Sequence, residues 1–162
     1  FMGYYNTAFR IGHKRFCERL AEAGAVGYIL PDLPLEEYGD LAGESETRQL
    51  ESILLMTPTN TTQRLQQLGD RARGFVYAVA RKGVTGQATR FEADLYGFFD
   101  RCRAATDLPL ALGFGLRTGE DLAALQGRVE IGIVGSALLN AWEEGGEAAY
   151  GALVEELAAA RN

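Results

Sequence analysis

The chain has 162 residues, 47% of them apolar and 23% charged, with a net charge of −6 at pH 7; these are values of a globular domain with a sizeable core. No apolar run is long enough to span a membrane, and no basic stripe or aromatic–basic interleaving prepares a surface for nucleic acid. Cys17 and Cys102 lack CxxC spacing and His13 is the sole histidine, so we expect buried thiols of a cytoplasmic protein, no metal site and no histidine-based triad.

Phe1 to Tyr5 reads as a strand. Asn6-Thr7 caps a helix over residues 8–23, whose Phe9, Phe16, Leu20 and Ala23 recur on one face until Gly24 ends it. Val26 to Leu30 is a short strand stopped by Pro31-Asp32-Leu33-Pro34, and Glu36 and Glu37 suit the first turn of a weak helix. Ser52 to Met56 is the next strand, after which Thr57-Pro58-Thr59-Asn60 opens a helix with Leu65 and Leu68 on one side. Gly74 to Val79 is a strand, Arg81 to Arg90 a polar, glycine-bearing loop, and Phe91 to Ala105 a helix presenting Leu95, Phe98, Phe99 and Cys102. Leu108 to Leu112 leads into Gly113, and Thr118 with Asp121 forms a capping box for the following helix. Val129 to Val134 is the last strand. Its helix starts at Ser136, pauses at Gly145-Gly146 and resumes to about Ala160.

Six strands, each followed by a helix, make one α/β domain over residues 1–162, and their continuous apolar runs are those of a parallel sheet covered by helices. Six units make either an open doubly wound sheet or most of a (β/α)8 barrel. The barrel typically takes about 250 residues, which leaves this chain short by two units. Functional residues in such folds follow the strands, here Tyr4-Tyr5-Asn6, Asp32, Thr57, Arg81, Gly113 and Gly135. Asp32 is the one carboxylate among them, held between prolines, so it suits a turn or an interface better than acid–base work, and paired carboxylates cannot be assembled.

Gly113-Phe114-Gly115-Leu116 and Ile133-Val134-Gly135-Ser136-Ala137 each bring an apolar run to glycine just before a helix. Glycine lets backbone N–H groups approach an anion closely, and the helix adds its positive end. Two such units in succession point to phosphate. The missing third glycine and the missing acidic residue about 20 positions on argue against a dinucleotide site. Phe75 to Gly86 runs a strand into a loop with two glycines, a threonine and cations, which reads as a lid whose Gly86 serves the same phosphate.

Together, Met2-Gly3-Tyr4-Tyr5-Asn6, the Gly27 to Glu37 stretch with Pro31-Asp32-Leu33-Pro34, Pro58-Thr59-Asn60-Thr61, Phe75 to Gly86 with Gly83-Val84-Thr85-Gly86, Gly113-Phe114-Gly115 and Ile133 to Ala137 resemble the tryptophan synthase alpha subunit family. The resemblance covers the whole chain and the later three-quarters of the family's (β/α)8 TIM barrel, Phe1 falling inside its third strand and the first two βα units missing. It implies a lyase of tryptophan biosynthesis that cleaves indole-3-glycerol phosphate by a retro-aldol reaction to indole and glyceraldehyde 3-phosphate. It implies no metal or organic cofactor on this subunit, and an alpha2-beta2 heterotetramer in which a pyridoxal-phosphate beta subunit receives the indole.

Residue by residue, the resemblance assigns the phosphate to Gly86, Gly115, Gly135 and Ser136. It gives the pocket to Tyr77 and Phe114, with Tyr4 near it. Thr85 would belong to the lid and position a catalytic aspartate, while Asn6, Asp32 and Pro34 would face the beta subunit. The family's catalytic glutamate and aspartate precede the stretch represented here, so binding with little turnover is expected; the alternative is a non-catalytic fragment that keeps phosphate binding or beta-subunit contacts. Ala80 stands where the family often has serine, and Val26 where it often has aspartate.

Overall fold

The computed structural model of the chain describes residues 1–79, 88–113 and 115–160. Strands β1 (Gly27–Ile29), β2 (Glu51–Met56), β3 (Val76–Val79), β4 (Leu110–Gly113) and β5 (Ile131–Ile133) form one sheet in sequence order, with every neighbouring pair parallel. Helices α1 (Tyr5–Ile11) and α2 (His13–Glu22) precede β1; α3 (Tyr38–Glu46), after a 3-10 turn at Leu35–Glu37, α4 (Thr62–Arg71), α5 (Ala88–Ala105) and α6 (Gly119–Ala123) lie between successive strands, and α7 (Ser136–Ala159) follows β5. Strand order equal to chain order, each crossover carrying helix, is half of a barrel and not a doubly wound sheet, whose order reverses about its first strand.

Side-chain alternation along each strand assigns the two faces. Met56, Val76, Ala78, Leu110 and Leu112 pack with Leu65 and Leu68 of α4 and with Phe98, Phe99 and Cys102 of α5 in the larger core. Phe16, Cys17 and Leu20 of α2 pack with Tyr28 and Leu41 in a second one. The alternate positions Leu55, Tyr77, Ala111 and Ile131 stand in register across β2 to β5 on the opposite face of the sheet. Both cysteines are free and buried, as expected, and burial pushes the Cys102 thiol up to about 12.

A buried polar chain joins the smaller core. Ser52 Oγ donates to Tyr28 Oη at 2.7 Å, Tyr28 Oη lies 2.8 Å from Ser45 Oγ, and Ser45 Oγ donates to the Leu41 carbonyl at 2.7 Å. Each hydroxyl thus has a partner, and no buried side-chain polar atom among the described residues is left unsatisfied.

Three expectations change. The opening strand is reduced to a single parallel bridge between Met2 and Ile29, because Tyr5 already starts α1. The helix expected over residues 8–23 is two helices broken at Gly12, whose φ of +88° few side chains tolerate. The break takes α1 out of phase, so Phe9 is exposed while Ala8 is buried in its place. Finally, α5 begins at Ala88, earlier than the expected Phe91. The Thr118–Asp121 capping box is present as expected, and α7 is interrupted at Gly146.

Candidate functional site

Parallel pairing brings the two glycine-ended units side by side. Gly113 of β4 stands opposite Ile133 of β5, so the chain passes to Gly115 and to Gly135 from neighbouring strands at the same edge of the sheet. Gly115 has φ of +93°, a left-handed conformation that requires glycine and turns the backbone out of the strand. Gly135 occupies the N-cap position of α7 and Ser136 opens that helix, both exposed. The Gly135 carbonyl accepts from the Leu138 and Leu139 N–H groups at 3.0 and 3.2 Å, which starts the helix and leaves its first N–H groups pointing back toward the strand ends. A Cβ at Gly135 would meet nothing within 4 Å. No packing inside the chain demands a glycine there, and the open space is available to an approaching ligand.

Gly113 has a different reason to be glycine. A Cβ there would sit 2.0 Å from the Tyr77 hydroxyl, so the phenol lies flat along the backbone of the neighbouring strand. Tyr77 is buried, and burial raises its pKa above the ordinary phenol value. The two residues form one side of the sheet face below the Gly115 and Gly135 loops. The sequence reading missed this role of Gly113, which a glycine at a strand end does not distinguish from an anion loop.

At the other side of the sheet, Asp32, Pro34 and Asn6 are all exposed at the edge where β1 ends and α1 begins. Asp32 Oδ1 accepts from the Tyr5 N–H at 2.7 Å and so caps α1 from 27 positions along the chain. Contrary to the sequence expectation, Asn6-Thr7 does not cap a helix; Asn6 lies within α1. Tyr5 Oη lies 3.0 Å from His13 Nε2, tying α1 to the start of α2 around the Gly12 break. Tyr4, the residue that precedes α1 at this corner, is 69% exposed. Thr85, Gly86 and Phe114 lie outside the described residues. The structure therefore brings Gly115, Gly135, Ser136 and Tyr77 to one end of β3 to β5, and gathers Asn6, Asp32 and Pro34 on a separate rim.

Among the described residues no group of three or more histidine, cysteine or carboxylate side chains is arranged to hold a metal, and no helix is long and apolar enough to cross a membrane.

Comparison with known proteins gives one consistent family. The profile of the tryptophan synthase alpha chain family matches residues 1–162. The tryptophan synthase alpha chain of Desulforapulum autotrophicum is 42% identical over 158 residues, covering 98% of this chain and 62% of that one. That of Syntrophotalea carbinolica is 41% identical over 157 residues, covering 97% of this chain and 62% of the relative. The chain thus spans a little under two thirds of the length of these curated relatives. Among solved structures, tryptophan synthase from M. tuberculosis in its aminoacrylate-bound form superposes with a TM-score of 0.87 at 34% identity, over 99% of this chain and 60% of that one. Tryptophan synthase subunit alpha from Campylobacter jejuni superposes with a TM-score of 0.87 at 30% identity, over 97% and 63% of the two chains.

Proposed function

The chain belongs to the tryptophan synthase alpha chain family, and from that premise we propose that its residues form the phosphate-holding and partner-facing part of an enzyme cleaving indole-3-glycerol phosphate to indole and glyceraldehyde 3-phosphate. The observation that carries this reading is the register of β4 with β5, which sets the Gly115 turn beside the start of α7. A phosphate dianion there meets backbone N–H groups from Gly115, Gly135 and Ser136, the Ser136 hydroxyl, and the positive end of the helix that starts at Ser136. That combination stabilises negative charge without any cationic side chain. Gly86, from the segment after β3, would add a fourth backbone donor.

Tyr77 would wall the pocket in which the aromatic part of the substrate lies, a role the resemblance gives to Phe114 as well. The Tyr77 ring supplies flat apolar area, and burial raises the pKa of its hydroxyl above the ordinary phenol value. Tyr4 would approach the substrate from the opposite side of the barrel mouth. Thr85 would belong to a segment that closes over the bound phosphate and holds an aspartate in position.

Retro-aldol cleavage breaks the bond between indole C3 and the glycerol carbon. It needs a proton delivered to C3, a proton removed from the glycerol hydroxyl that becomes the aldehyde, and a group that takes the indole N–H proton as C3 is protonated and returns it to nitrogen as the carbon–carbon bond breaks. The resemblance assigns these proton transfers to a glutamate and an aspartate that precede the third strand; each such group contributes about 10²–10⁴-fold in rate. The residues of this chain bind and orient the substrate, with no metal or organic cofactor in this subunit. Asn6, Asp32 and Pro34 form the rim that meets a pyridoxal-phosphate beta subunit in a cytoplasmic alpha2-beta2 assembly.

The test is indole release from indole-3-glycerol phosphate by the 162-residue chain, with and without a beta subunit. The expected result is slow release in either case together with measurable binding of glycerol 3-phosphate. Rapid release would mean that acid–base groups within these residues perform the chemistry, against this division between binding and proton transfer.

A further inference from the structure

Helix α7 is two half-helices. Gly146, at φ +63° and ψ −153°, is in a conformation that only glycine adopts readily, and it separates residues 136–145 from residues 147–159. The second half is anchored. Leu157 is buried, Glu156 Oε1 accepts from the Gly119 N–H of α6 at 2.7 Å, and the Gln126 side chain donates to the Ala160 carbonyl at 3.0 Å. The first half carries Leu139 at 66% and Trp142 at 54% exposure. Across the break, the Trp142 and Tyr150 rings meet edge to face at 5.9 Å with planes at 82°, and the Ala149 methyl packs onto Gly145.

We propose that the Trp142–Tyr150 ring pair sets the angle of the first half of α7 against its anchored second half, and so positions the Gly135–Ser136 end on which phosphate binding rests. A glycine with this backbone imposes no single bend by its own sterics, whereas an edge-to-face pair fixes both distance and inclination. Trp142 lies almost two turns from Ser136 along the same half-helix, so a change in tilt at Gly146 displaces the first N–H groups of α7 directly. Trp142 and Tyr150 are positioning residues here, because neither ring lies at the anion end itself.

This inference rests on the phosphate reading, and the experiment separates the two. Glycerol 3-phosphate is titrated calorimetrically into the wild type and into Trp142→Phe, Trp142→Ala, Tyr150→Ala and the double alanine variant, with each variant's melting followed by circular dichroism. Trp142→Phe, which keeps an edge-to-face ring, should bind within about twofold of the wild type. Either alanine variant should weaken binding about three- to tenfold, and the double variant no further than the worse single one. Gly146→Ala, which keeps both rings but refuses the bend, should weaken binding to a similar degree. Unchanged affinity in folded Trp142→Ala or folded Gly146→Ala, or additive losses in the double variant, would overturn the inference alone. A wild type that does not bind glycerol 3-phosphate would overturn the phosphate reading and this inference with it.

Discussion

Asp32 shows how one side chain serves two scales. Its carboxylate accepts the first N–H of α1, so the rim that carries Asn6 is held to the end of β1 by a single charged hydrogen bond. Asp32→Ala should lower stability by about 0.5–2 kcal/mol, as loss of a helix cap does, and should weaken association with a beta subunit. Urea melts and co-sedimentation measure the two effects separately, and Asp32→Asn should recover most of the first. Gly113 is constrained from the side, by the Tyr77 phenol, and not by its own backbone angles. Gly113→Ala should cost about 1–3 kcal/mol, the usual range for overpacking a core. Under the proposed function that ring walls the substrate pocket, so the same variant should lose affinity for an indole phosphate more than for glycerol 3-phosphate.

At the opposite end of the sheet from the Gly115 and Gly135 loops, Glu130 performs a similar long-range cap. Its carboxylate pairs with Arg103, and Oε2 accepts the Leu110 N–H at the start of β4 at 2.7 Å. The Arg103 guanidinium, helped by the Leu110 N–H and opposed by partial burial, holds the Glu130 pKa below the ordinary carboxylate value. A carboxylate so depressed stabilises the fold above its unfolded-state pKa, and that contribution is lost as pH falls through the folded-state value. The stability difference between wild type and Glu130→Gln should therefore be constant near neutral pH and shrink below about pH 4.5. Because Glu130 is half exposed, the difference should also be small, and denaturant melts across pH 3–7 would measure it.

The elements explain what the sequence did and did not disclose. The pause in α7 was legible because Gly145-Gly146 interrupts a helical pattern at a residue that then takes a glycine-only conformation. The Thr118–Asp121 box was legible because both of its partners lie within one turn. The break at Gly12 was hidden, since apolar residues continue at helical spacing through it and only a lone glycine marks the change. The start of α1 was hidden for another reason. Its cap comes from Asp32, and no local pattern in residues 4–7 contains it. The glycines at 113 and 135 look alike in sequence, yet one is required by a neighbouring ring and the other faces open space.

At the scale of the whole molecule, the described residues form a half-barrel of five parallel strands and the Phe1–Gly3 segment, with edges that are unpaired among those residues at β5 and at the Met2 bridge. Phe1, Met2 and Val26 are exposed near one edge, and Leu139 and Trp142 near the other. Open edges beside apolar surface favour association. Sedimentation velocity on the 162-residue chain should show species that grow with concentration at micromolar levels, and a sharp monomer throughout would contradict this. The family was readable at this scale because its motifs lie in order along the chain, and the observed fold reproduces that order as neighbouring strands. The segment around Thr85 and Gly86 and the pocket residue Phe114 were also read from motifs, but they lie outside the described residues, so their roles are proposals on the same footing as the phosphate site.

Under the proposed function, the ends of β4 and β5, with the start of α7, hold the phosphate of an indole-bearing substrate. The most direct measurement is the affinity of the chain for indole-3-propanol phosphate compared with glycerol 3-phosphate, in the wild type and in Gly135→Val. The indole compound should bind more tightly if Tyr77 contacts its ring as proposed, and Gly135→Val should weaken both ligands by filling the open space beside Gly135. Equal affinity for the two ligands, or binding that Gly135→Val leaves untouched, would contradict the claim.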